Sequence, residues 1–451
     1  MARNKCTKYY HHFGNRVINM FDIIVIGGGP SGLMASIAAM EHGKHADGHF
    51  KVLLVDKGDQ LGRKLGISGG GRCNVTNNKK MDEFIRHIPG NGRFLHSALQ
   101  TFNNKNIIRF FKHLGIALKE EDQGRMFPVS DRAKTVVQAL VNKVKSLGIE
   151  IMTNQPVKKV TYTHDRTKGI LLNNGEFIVC RSVIIATGGK SVPHTGSTGD
   201  GYVWAQAAGH TITPLYPTEV PITSNTSFIR WRELQGLSLR RIALAVWDPK
   251  GKQIIEHEGD MIFTHFGVSG PIALRCSQFV IKSLKASGME TVLMSIDLFP
   301  HLNEHQLEQY LLKRWQAEPK KALRSVFKEL LPDRLLAVLV READISPDLT
   351  YHNLSKKAWS RWLQKLKKFT FKANGTLSIE KAFVTGGGVH LKEIDPKTMA
   401  SKLMHGLYFC GEILDVHGYT GGYNITAAFS TGYTAGASAA AWSTEQSFLL
   451  N

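Results

Sequence analysis

Residues 21–32 read Phe-Asp-Ile-Ile-Val-Ile-Gly-Gly-Gly-Pro-Ser-Gly, and no other stretch constrains the fold of this chain as tightly. An apolar run without alternation is the pattern of a strand covered on both faces of a parallel sheet. The run ends in Gly27-x-Gly29-x-x-Gly32, and Leu33–His42 then carries a helical pattern rich in Ala and Met. Strand, glycine turn and helix together form the context that a dinucleotide fingerprint requires. Gly27 permits the tight turn, Gly29 leaves room for a pyrophosphate, and Gly32 lets the helix pack close to the strand. The helix N-terminus then presents unpaired N–H groups to the phosphates.

A glycine fingerprint alone is weak, so the second strand matters. Lys51–Val55 is apolar and runs into Asp56, 24 positions after Gly32. A carboxylate there accepts hydrogen bonds from ribose hydroxyls and repels a 2′-phosphate. With 451 residues the chain is long enough for two or three domains, and 42% hydrophobic with 21% charged residues is a globular composition. Five cysteines lie far apart without a CxxC pair, which argues for reduced thiols in a cytoplasmic protein and against a metal site. No run reaches the roughly 18 to 20 apolar residues of a membrane span. Residues 1–20 are basic and lack an apolar core, so they read either as an extension or as sequence before a start at Met20. The formal charge of +20 favours contact with polyanions.

A second glycine cluster follows, Leu61-Gly-Arg-Lys-Leu-Gly-Ile-Ser-Gly-Gly-Gly-Arg-Cys-Asn-Val-Thr-Asn77. Arg63, Lys64 and Arg72 sit among glycines whose backbone N–H groups can form an anion-binding concavity. This run resembles the signature of the BaiN/YhiN-type family of NAD(P)/FAD-dependent oxidoreductases, which includes aminoacetone oxidase-like flavoproteins. That family lies within the glutathione-reductase-like group of FAD Rossmann proteins. The resemblance continues at Asp122–Asp131, Ala186–Gly201, Phe263–Pro271, Val384–Gly388 and Gly406–Gly436, nearly the whole chain from Phe21.

The resemblance implies an α/β fold in which a discontinuous FAD-binding Rossmann-like domain carries an inserted β-barrel-like domain with a helical subdomain. The expected pieces are an extension at 1–20, the FAD domain at 21–200 and 376–451, and the insertion at 201–375 with helices at about 300–366. The pattern itself gives short β-rich runs from Ile212 to Asp297, then helical spacing from Asn303 to Leu366. By resemblance, Gly27, Gly29, Ser31 and Gly32 hold the FAD pyrophosphate, Asp56 the adenosine ribose and Val157 the adenine edge, with Pro30 and Lys57 among the other cofactor-binding residues. Lys64, Ser68, Gly69, Gly71, Arg72, Cys73 and Asn74 line the flavin side. Thr187, Gly188 and Gly189 mark the exit from the FAD domain. Gly411 and Glu412 return at the ribityl chain, and Gly421, Gly422 and Asn424 open a helix at the flavin pyrimidine.

No Ser/His/Asp set or carboxylate pair stands out, as suits chemistry carried by a flavin. Candidate acids and bases are His194, His390, His417 and Cys73, the last with a thiol that Arg72 would acidify. With one dinucleotide fingerprint, either NAD(P)H visits the flavin transiently or the substrate reduces it and oxygen reoxidises it. The expected activity is FAD-dependent hydride transfer on a small molecule. The alternative is an RNA-associated flavoprotein of the tRNA-modifying type. It draws on the segment Lys356–Lys372, where seven basic residues interleave with Trp359, Trp362, Phe369 and Phe371. The same segment also reads as buried aromatics beneath a solvated lysine face.

Overall fold

The structure is a computed structural model, and it describes residues 20–43 and 49–448. The extension before Met20, the Cys6 thiol and part of the loop after His42 lie outside the described residues. A seven-stranded sheet organises the first body. The strand Met20–Ile26 pairs in parallel with Val52–Val55 on one side and Phe177–Ile185 on the other. Glu150–Met152 extends the sheet beyond Val52–Val55, and Leu407–Phe409 pairs in parallel with the end of Phe177–Ile185. Thr167–Leu172 and Val157–Tyr162 complete the sheet as antiparallel strands. Residues 21–26 are buried, as the unbroken apolar run requires of a central parallel strand.

Helix Pro30–His42 is buried continuously from Ser31 to Ala39, between this sheet and the long C-terminal helix Tyr423–Phe448. Its small residues permit that position, and so does its partner. A Cβ at Gly432 or Gly436 would overlap the carbonyl oxygen of Ser31 or Ala35, so two glycines four apart let the helices touch along their backbones. The chain's last element thus locks the first one, although they are separated by the whole insertion. Tyr202, Trp204, Ala205 and Ala208 also join this core.

The chain next enters a closed barrel of six strands in the order Ile222–Ser224, Gly267–Ser269, Gln253–Phe263, Ser238–Trp247, Val292–Asp297, Phe369–Thr376. All neighbours are antiparallel, and Phe369–Thr376 closes onto Ile222–Ser224. One element was not legible in the β-rich pattern: helix Pro271–Ser287 interrupts the strands and buries Ile272, Cys276 and Val280 against the barrel. Helices Glu304–Gln316, Leu323–Phe327, Asp333–Glu342 and Lys356–Lys367 form the appended helical piece around Trp315, Phe327 and Trp362.

This packing decides between the two readings of the basic segment. Trp359, Trp362, Phe369 and Phe371 are all buried. Lys367 pairs with Asp297 at 2.5 Å, Lys365 approaches Glu342, Arg361 caps the carbonyls of Ala343 and Asp344, and Lys368 lies over the Trp247 ring. The aromatics of residues 356–372 are therefore core and not free to stack on a nucleic acid, and Arg361, Lys365, Lys367 and Lys368 are engaged at home, while Lys356, Lys357 and Lys372 face outward.

Candidate active site

A cavity of about 940 Å³ opens where the sheet, the barrel and the C-terminal helix meet. It is near the upper end of the volume range for small-molecule and cofactor sites. The turn Gly27–Ser31 forms one end of it. Gly27 has φ +106°, and a Cβ there would lie 2.6 Å from the Ala186 carbonyl oxygen; a Cβ at Gly32 would overlap the Gly27 carbonyl oxygen. Gly29, by contrast, has no atom within 4 Å of its would-be Cβ and faces open space. Gly29 is the N-cap of Pro30–His42, with no side-chain cap and no acidic residue in the first turn. The positive end of the helix is left for an anion.

Asp56 lies on the cavity wall and accepts hydrogen bonds from the backbone N–H groups of Gly28 at 2.6 Å and Gly58 at 2.7 Å. Lys57 pairs with Asp200 at 2.6 Å, and Val157 lines the same end. Farther in, Lys64 donates to Glu412 Oε2 at 2.7 Å and to Ser191 Oγ at 2.8 Å. Glu412 Oε1 accepts from Ser191 Oγ and from the Thr385 N–H. Residues from four distant parts of the chain are thereby tied beside the cavity. Ser191 and Thr385 escaped the sequence reading, because nothing in their local spacing shows that Lys64 and Glu412 meet.

Ser68, Gly69, Arg72 and Asn74 line the wall, whereas Gly71 and Cys73 do not. The loop begins as helix Arg63–Gly71 and leaves helical geometry at Ser68, Gly69 and Gly70. Arg72 is turned to Glu121 and to Asp131, at 2.6 Å from the latter, with its guanidinium 4.2 Å over the Phe127 ring. The hydrogen bonds from Arg72 and Lys119 hold these carboxyls below their usual range, and they raise Arg72 in turn. Arg72 therefore latches the loop to the small sheet Thr76–Asn77, Leu118–Glu121 and Arg125–Pro128. It does not activate Cys73, whose burial pushes the thiol up to about 12.

Thr187 and Gly188 line the cavity, while Gly189 packs against Thr385 behind it. Gly421, Gly422 and Asn424 line the wall where the last helix begins, and Gly411 sits behind it against Ser31. None of the three candidate histidines lines the cavity. His194 is exposed. His390 lies 3.8 Å from Glu393. His417 is buried against Tyr216 at 2.9 Å, and desolvation pushes it down to about 3.

The far end of the cavity belongs to groups not singled out from the sequence: Arg241, Glu258 and Asp260 from barrel strands, Arg275 from helix Pro271–Ser287, and Tyr419. Arg275 lies 5.9 Å from the Tyr419 ring, and its Nε is buried without a partner. His257 meets the same ring edge-on at 5.1 Å, and burial pushes it down to about 4. Behind them Glu219 is fully buried, which pushes its carboxyl up to about 7.

The sequence profile of the HI0933-like protein Rossmann domain matches residues 21–438. The chain belongs to this family. It is 32% identical over 412 residues to a ribosomal RNA dihydrouridine synthase of Haemophilus influenzae, covering 91% of this chain and 96% of that one. The Escherichia coli protein of the same name is 32% identical over 413 residues, covering 92% and 96%. A 3-dehydro-bile acid delta(4,6)-reductase of Clostridium scindens is 29% identical over 418 residues, covering 92% and 98%. The family and the glycine turn make this a Rossmann-type FAD-binding fold and an oxidoreductase.

The cavity suits a flavin dinucleotide on its own geometry. Gly29 and the uncapped helix leave a cradle for pyrophosphate, and the Asp56 carboxylate lines the wall beside that turn. Asn74 Oδ1 and Thr187 Oγ1 are buried polar atoms without partners among the described residues, and both residues line the wall. Buried polar atoms of this kind are normally satisfied, so a bound polar group is what they lack.

Proposed function

We propose that this chain is an FAD-dependent oxidoreductase that saturates a carbon–carbon double bond conjugated to a carbonyl, with NAD(P)H as the visiting reductant. Bound FAD supplies hydride chemistry, and the chain's residues supply everything else. One observation carries the reading: a single cavity runs from the dinucleotide turn past Lys64 and Glu412 to Arg275 and Tyr419. A hydride delivered to the β-carbon of such a bond leaves negative charge on the carbonyl oxygen and a proton to be added at the α-carbon. Arg275, whose Nε is buried without a partner while its NH2 reaches Gln123 Oε1 at 3.4 Å, is suited to hold that oxygen, because a preorganised cation acts where charge develops. The two kinds of named relative support the same chemistry. Dihydrouridine is uridine with its ring double bond saturated, and a Δ(4,6)-reductase of a 3-dehydro compound acts on an enone.

The substrate on this reading is a small unsaturated carbonyl compound. A second reading, a uracil-type base carried on RNA, is favoured by the charge of +20 and by the 32% identical relatives. Anaerobic mixing with NADH or NADPH should bleach the flavin, and an unsaturated carbonyl acceptor should restore its colour. Enones, uridine and uridine-containing RNA are the acceptors to compare. A flavin that neither nucleotide reduces, or that only oxygen reoxidises, overturns the proposal.

A further inference from the structure

The segment that leads into the barrel carries charge that the chain leaves unpaired. Phe228, Ile229 and Leu234 are buried in the barrel core and fix residues 227–241 in place. On the outside, Arg230, Trp231, Arg232, Arg240 and Arg241 are exposed. Trp231, at 66%, is the most exposed large hydrophobic side chain among the described residues. None of the four guanidinium groups has a hydrogen bond or ion pair there. The contrast with the neighbouring helical piece is sharp: Arg314, Arg324, Arg341 and Arg361 each meet a carboxylate.

The backbone repeats the signal. Arg232 and Arg241 stand at φ +60° and +51°, a left-handed conformation that costs a non-glycine residue stability and is kept where the surroundings demand it. Arg241 has a second property, because it also lines the cavity. Its neighbours there from the adjoining strand are Glu258 and Asp260, and Asp260 binds the Arg241 backbone N–H rather than its guanidinium. The segment is thus cationic where it is exposed, and Arg241 connects it to a stretch of cavity wall that carries two carboxylates.

We propose that the face formed by Arg230, Trp231, Arg232 and Arg240 docks single-stranded RNA and delivers an unpaired base past Arg241 into the cavity. This rests on the second reading above. Arginines neutralise successive phosphates and an exposed indole stacks on a base, which is how unstructured strands are held. Glu258 and Asp260 would repel phosphate, so the backbone stays on the arginine side while an uncharged base passes them. A duplex offers no free base to stack or to enter.

The test uses the full, FAD-loaded chain and a short fluorescent uridine-rich RNA, followed by anisotropy. Trp231→Ala should weaken binding about tenfold, with Trp231→Phe restoring most of it. Replacing Arg230, Arg232 and Arg240 together by Gln should weaken binding and lower the slope of log affinity against log salt by about 2, at roughly 0.7 per phosphate contact. Flavin content and melting temperature should match the wild type in every variant, which separates a lost surface from a lost fold. Variants that bind as the wild type does overturn the surface, and so does equal binding of duplex RNA or preference for anionic phospholipid vesicles. A wild type that binds no RNA at low salt overturns the surface and the RNA reading together. A flavin that NAD(P)H cannot reduce, with RNA binding intact, overturns the redox proposal instead and leaves the surface standing.

Discussion

Replacing Glu219 by Gln should make this protein more stable at pH 8 while changing it little at pH 5. Glu219 follows the strand Tyr216–Thr218, where the chain crosses towards the barrel, and its carbonyl accepts from Phe383 N–H on the returning crossover. Its carboxylate accepts from the Thr420 N–H at 2.7 Å, while its other oxygen has no partner. Complete burial pushes the carboxyl from its ordinary 4.5 up to about 7, against the pull of the Thr420 hydrogen bonds and of Arg275. Between those two pH values the folded chain keeps a proton that the unfolded chain has released. Glu219 therefore costs nothing below 4.5, and stability drains away as pH rises through about 7. At about 1.36 kcal/mol per pH unit the full loss is about 3 kcal/mol, of which about 2.5 kcal/mol falls between pH 5 and pH 8. With about 2.1 cal/mol/K of unfolding entropy per residue, that difference corresponds to about 2 to 3 °C in melting temperature for a chain of this size. Gln keeps the acceptor for Thr420 and has nothing to titrate. Melting curves of both proteins from pH 5 to pH 8 check this. Parallel curves, with no gain for Glu219→Gln at the higher pH, would show that burial does not raise the Glu219 carboxyl.

Gly32→Val should yield protein without bound FAD, since any Cβ overlaps the Gly27 carbonyl oxygen; flavin absorbance per chain reads it directly. Lys64→Met strands the Glu412 carboxylate in a site where it is only 20% exposed, and should destabilise the fold by about 2 kcal/mol, with Lys64→Met/Glu412→Gln recovering most of the loss in thermal melts. His194→Ala and His390→Ala should leave the rate of anaerobic flavin reduction unchanged, because neither side chain lines the cavity. Cys73 should resist alkylation in the folded protein and react only after denaturation, as thiol counting by mass would show.

The local half of this architecture was readable in the sequence, and the long-range half was not. The strand, the glycine turn and Asp56 announce themselves because each role is set by neighbours within one βα unit. Glu412 was reachable by resemblance alone, since its partners Lys64, Ser191 and Thr385 are spread over most of the chain. Arg72 and Cys73 show the cost of arguing from adjacency. They are consecutive, yet one is pulled towards Glu121 and Asp131 and the other turns into the core. Helical spacing cannot say which neighbour covers a face, so in the sequence the aromatics of residues 356–372 fit both a stacking surface and a buried core. Trp231 lay in a segment with no periodic signal, and its exposure becomes visible only once Phe228 and Ile229 have gone inward. Arg275 sits on a helix hidden among strand-like runs, so the far wall of the cavity had no legible outline.

On the function proposed above, the cavity holds FAD and its flavin is the working redox centre. Denaturing the purified protein and identifying the released flavin by chromatography, before and after anaerobic NAD(P)H and an unsaturated carbonyl acceptor, tests this most directly. One FAD per chain is expected, bleached by the nucleotide and recovered in oxidised form as the acceptor's double bond is saturated. A colourless protein that cannot be reconstituted with FAD, one that carries FMN alone, or a flavin that stays oxidised throughout would contradict it.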